Sequence, residues 1–95
     1  MESKELFRAL TGDAERLKDR TNSTIDVSDV DVVESDKTIA VIKTLDDKLL
    51  VSSSRNVVQV VPLLKEMTKA GSVKLFVVAT DIGNGKSTIS VKLKG

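Results

Sequence analysis

The sequence predicts an α+β fold: an antiparallel sheet of about five strands with two helices, in the order α-β-β-β-α-β-β. Three observations predict it. Apolar residues recur at helical spacing in two stretches, 3–19 and 55–70. Between them lies a β-branched run broken by ESDK and LDDK. After the second stretch, Asn84-Gly85 separates two alternating segments, which is the signature of a tight hairpin. The 95 residues suffice for a single domain, 1–95, with one core.

The elements follow in order. Leu6, Phe7, Leu10, Ala14 and Leu17 form one stripe of a first helix over 3–19, with Ser3 as a cap and Gly12 as its weakest position. RTNST ends that helix. Strands are expected at 25–33, 37–44 and 48–53, as a meander. A turn at Ser35-Asp36 pairs Val32 with Ile39 and Val30 with Val41, which points Asp29 and Asp31 to the opposite face. In 55–70, Val57, Val60, Val61, Leu64 and Met67 share a face and Gly71 suits the C-terminal cap. Pro62 removes a backbone donor, so the best-formed helix is expected at 62–70. Two closing strands, SVKLFVVAT and KSTISVKLK, complete the sheet, and the helices are expected on one of its faces.

Composition narrows the chemistry. Phe7 and Phe76 are the only aromatic residues, so the core is aliphatic. With no Cys and no His, the chain lacks disulfides, thiolate nucleophiles and the usual zinc and haem ligands. It also lacks the usual general base near neutral pH, so no enzyme, cofactor or metal is expected. MESKELFRAL has no signal-peptide core, and no run approaches the roughly 18 apolar residues of a membrane span. A cytoplasmic protein is expected.

GNGKST is the one motif that suggests nucleotide chemistry. A P-loop needs a glycine five residues before Gly85, and Thr80 stands there. It also needs a following helix to offer N–H groups to phosphate. TISVKLK alternates with period two, as a strand does. With Asn84-Gly85 at a type I′ tip, Val78 faces Val91, Phe76 faces Leu93 and Thr80 faces Ile89. SSSRN reads as a strand-to-helix connection with a capping hydroxyl, and Asp46-Asp47 as turn residues.

Charge is the informative feature. The net charge of +1 hides a gradient: 0 over residues 1–20, −5 over 21–47 and +6 over 48–95. The acidic segment presents Asp26, Asp29, Asp31, Glu34 and Asp36, without the glycine of a calcium loop and with a valine alternation that suits a strand. Its functional reading is a face for a basic protein, and its bland reading is edge protection by charge. The basic segment presents Lys74, Lys86, Lys92 and Lys94, which suit phosphate contacts without sequence readout.

The expected function is a small, non-enzymatic interaction or regulatory protein. It binds a macromolecular partner, a protein or a nucleic-acid-binding protein that it inhibits, through its polarised charge. The alternative is a nucleic-acid-binding module that uses the lysine hairpin. A homodimer is expected because SVKLFVVA is apolar on both faces. KLLVSSS, VVPLLKEMTKAG and the two closing strands follow an order similar to the DNA-binding double-wing domain of T-even phage middle-promoter activators. That resemblance is one of arrangement. It implies nucleic-acid binding and carries over no site residue.

Overall fold

The computed structural model describes residues 1–94. It is α+β, with helices Ser3–Leu10 (α1) and Arg55–Lys69 (α2) and a mostly antiparallel six-stranded sheet among the described residues. The strands are Glu15–Arg16 (β1), Thr24–Glu34 (β2), Thr38–Thr44 (β3), Leu49–Ser52 (β4), Val73–Gly83 (β5) and Lys86–Leu93 (β6). They lie side by side as β1-β4-β3-β2-β5-β6. β1 pairs in parallel with β4, and every other pairing is antiparallel.

The first helix is half its expected length. Gly12 takes φ +97°, a left-handed conformation open to glycine, and turns the chain away. Residues 15–16 then form β1, and Leu17–Arg20 form a 3₁₀ turn that buries Leu17 completely. Glu2 caps α1 rather than Ser3, and the Glu5 carboxylate accepts a bond from the Glu2 N–H. The second helix includes residues 55–61 as well as 62–69 and continues through Pro62. Val57 and Val61 before or beside the proline, and Leu64 after it, are all buried. Packing on both sides of the missing hydrogen bond holds the helix together.

The helices lie on opposite faces, not on one. Beneath α2, Val57, Val61 and Leu64 join Leu17, Val27, Val30, Ile42, Leu50, Leu75 and Val77 in the main core. Beneath α1, Ala9 joins Val41 and Leu49 in a smaller cluster. An ion pair of 2.6 Å between Lys43 and Glu5 ties α1 to β3 on that side.

Both hairpin registers differ from expectation by one residue, for different reasons. The β2–β3 loop holds three residues: Glu34 pairs with Thr38, and the Ser35 N–H donates to the Lys37 carbonyl. Val30 therefore pairs with Ile42, and Val32 with Ala40. Val30 still shares the main core while Val41 passes to the α1 side. In the β5–β6 hairpin the tip is as expected. Asn84 and Gly85 have φ +54° and +72°, and Gly83 pairs with Lys86. A bulge between Asp81 and Gly83 then shifts the ladder, so Phe76 pairs with Lys92, Val77 with Val91 and Thr80 with Thr88.

Candidate functional site

Three places carry the chain's polar chemistry. The first is the acidic strand. A bulge at Ser28 switches the side-chain parity of β2, with register jumping between Val27 and Asp29. Ile25 and Val27 before it, and Val30 after it, thereby all reach the core. β5 pairs with β2 only from Thr24 to Val27, so that edge of β2 carries no strand from Ser28 onward.

The open edge is closed by side chains. The Val30 N–H donates to Asp29 Oδ1 at 2.8 Å, and the Val32 N–H donates to Asp31 Oδ1 at 2.9 Å. Lys65, from α2, reaches the same edge and donates to the Val30 carbonyl at 3.0 Å. Its ammonium also lies 3.5 Å from Asp29 and 3.4 Å from Asp31. The α-amino group of Met1 lies 2.9 Å from Asp29. Burial alone would raise both carboxyls. For Asp29, bonds from the Met1 ammonium and the Val30 N–H, with the Lys65 charge, hold it below its usual value. For Asp31, the Val32 N–H and Lys65 do the same.

The other three acids stand elsewhere. Asp26 is exposed and pairs across the sheet with Lys74, their charged groups 4.0 Å apart. Glu34 and Asp36 are exposed at the β2–β3 turn. The five acids of the expected face are thus divided among an edge cap, a cross-strand pair and a hairpin tip.

The second place is the lysine hairpin. Along β6, Lys86, Thr88, Ser90 and Lys92 alternate with Ile89 and Val91, which pack on the main core. The corrected register sets Lys92 opposite Phe76. The Lys94 ammonium stands 5.3 Å from the center of the same ring. Phe76 is half-buried and lies among lysines, where the sequence alone had aligned it with Leu93. Lys86, Lys92 and Lys94 form no ion pair with the described residues.

The third place has no counterpart in the sequence reading. A cleft of about 510 Å³ opens where the start of β3 and the end of β4 approach the start of β6. Arg16, Lys18 and Lys37 line it, together with Ser52, Ser53, Ser54, Ser87 and Thr88. Ile39, Val51 and Ile89 supply its apolar surface, and no carboxylate lines it. Ser54 occupies the N-cap position of α2 without capping it. Its hydroxyl instead donates to the Ile89 carbonyl and bonds Thr88 Oγ1, fastening the start of α2 to the edge strand. The expected capping role of the SSSRN serines is therefore replaced by a tertiary one.

GNGKST is the hairpin tip that the sequence predicts, followed by β6. Asp46 and Asp47 lie in the β3–β4 turn, where Asp47 has φ +66° and Asp46 bonds the buried Thr44 hydroxyl. That bond holds the Asp46 carboxyl below its usual value. No helix among the described residues is long and apolar enough to cross a membrane. No protein-family model, curated protein or solved structure matches the chain.

Proposed function

We propose that this protein is a non-enzymatic binding module whose polarised charge docks a polyanionic macromolecule, with the lysine hairpin as the contact. The observation that carries this reading is the inequality of the two charged regions. Asp29 and Asp31 are engaged by Lys65 and by their own strand's N–H groups. Lys86 and Lys92 on β6 and Lys94 just after it are exposed, and Lys92 and Lys94 lie beside Phe76. A nucleic-acid backbone fits such a row, since phosphate contact needs unpaired cations and little shape. An aromatic ring beside lysines adds a surface on which a base can stack.

The protein-partner reading has narrower support. It keeps Asp26, Glu34 and Asp36 as exposed acids, and the last two sit together at a hairpin tip. A homodimer through the free β6 edge has less support still, because lysines along an edge strand oppose pairing with a second copy.

The test is fluorescence anisotropy with generic double-stranded DNA at about 50 mM and 200 mM salt, a range over which phosphate contacts weaken steeply. Micromolar binding at the lower salt that falls at least tenfold at the higher is the expected result. Absence of binding at the lower salt removes the nucleic-acid reading and leaves the Glu34–Asp36 tip as the candidate contact.

A further inference from the structure

We infer that the cleft at the start of α2 is a binding site for a small phosphate-bearing ligand, of the size of a di- or triphosphate. This goes beyond the lysine hairpin and does not depend on it.

Arg16, Lys18 and Lys37 come from three separate places in the fold, the short β1 strand, the 3₁₀ turn and the β2–β3 loop. None forms an ion pair with the described residues, although Glu15, the neighbor of Arg16, is paired with Arg20 at 3.1 Å. Cations gathered around a concavity with no carboxylate on its wall raise a positive potential there and attract anions.

The remaining wall suits phosphate oxygens. Ser53 and Ser87 are exposed hydroxyl donors on opposite sides of the cleft. α2 starts at the same wall, fifteen residues long, with no acidic side chain in its first turn. Its positive end adds to the cationic potential. The cleft volume of about 510 Å³ falls within the usual range for small-molecule sites. Ile39, Val51 and Ile89 give the organic part of such a ligand an apolar surface. The wall is also braced, because Ser54 bonds Thr88 and the Ile89 carbonyl across the cleft's two sides.

Tripolyphosphate is the probe. Titrated into isotope-labeled protein at low salt, it should shift the backbone amides of residues 52–56 and 87–89 more than those of 91–94. The variant R16Q/K18Q/K37Q should bind about tenfold more weakly or worse, the scale of lost charge-assisted bonds. Ser53→Ala should weaken binding by less, and K92Q/K94Q should weaken it less than the cleft variant does. All of these positions are exposed, so a native amide spectrum is expected for each variant. The inference is overturned if tripolyphosphate shifts the β6 lysine amides alone, if the cleft variant binds as the parent does, or if no amide shifts. Retained DNA binding by the cleft variant would separate this site from the lysine hairpin.

Discussion

The acidic strand and the lysine hairpin look like mirror images in the sequence, yet the fold uses them in opposite ways. β2 loses its β5 neighbor after Val27, and the exposed edge needs partners for its N–H and C=O groups. Asp29, Asp31 and Lys65 supply them. The charge there is consumed by the backbone. β6 is also an edge, but its lysine side chains meet no carboxylate among the described residues. A count of charges therefore misstates what a partner would meet. What matters is the charge left over after edges and helices have been satisfied.

This contrast can be broken experimentally, and the largest effect is expected at Lys65. Lys65→Met keeps the aliphatic stem but removes the ammonium from the Val30 carbonyl and from two carboxylates. A loss of about 1–3 kcal/mol in unfolding free energy is expected, the range for an unsatisfied, partly buried polar group. Urea denaturation measures it. A loss below about 0.5 kcal/mol, typical of ordinary surface changes, would mean that the edge cap contributes little.

A smaller effect is expected from pH. Asp29 and Asp31 titrate below their usual value of 3.8 in the folded chain. Their stabilization is therefore complete above that value and is lost as pH falls through the lower folded values. The melting temperature should drop on acidification below about pH 4, and D29N/D31N should flatten that part of the profile. An unchanged profile would place the acid sensitivity at Glu5 or Asp46 instead, whose bonds to Lys43 and Thr44 also hold their carboxyls low.

The smallest stability effect is expected at the hairpin. K86Q/K92Q/K94Q should shift stability by less than about 0.5 kcal/mol, since these side chains form no ion pair with the described residues. A larger shift would sharpen the contrast differently, by giving the Lys94–Phe76 contact a structural weight.

Much of the fold was legible. Local patterns placed the three-strand meander and the Asn84-Gly85 tip, because each depends on neighboring residues. The failures came where distant contacts decide. Gly12 ends a helix whose apolar stripe continues to Leu17, and the stripe's last leucine then serves the main core from a 3₁₀ turn. Pro62 argued for a shorter helix, and burial on both sides of it outweighed the lost bond. The bulges at Ser28 and near Ile82 have no strong local signal, yet each reverses the side-chain parity between the two parts of its strand. The candidate sites were legible only in part. Lys86, Lys92 and Lys94 share one parity along and just past a single strand, so their common face follows from alternation. The cleft residues come from four regions, 16–18, 37–39, 51–54 and 87–89, and the pairing of β1, β4 and β3 with the Ser54 bonds to Thr88 and Ile89 gathers them.

The most direct test compares two variants on one polyanion. Double-stranded DNA is titrated with the parent, with D29N/D31N and with K86Q/K92Q/K94Q over a range of salt. The lysine variant should lose affinity, and its salt slope should shrink by about 0.9 for each phosphate contact removed. D29N/D31N, native in its far-ultraviolet spectrum, should keep the parent's slope. Equal slopes for the parent and the lysine variant, or a slope altered by D29N/D31N alone, would contradict the lysine hairpin as the contact.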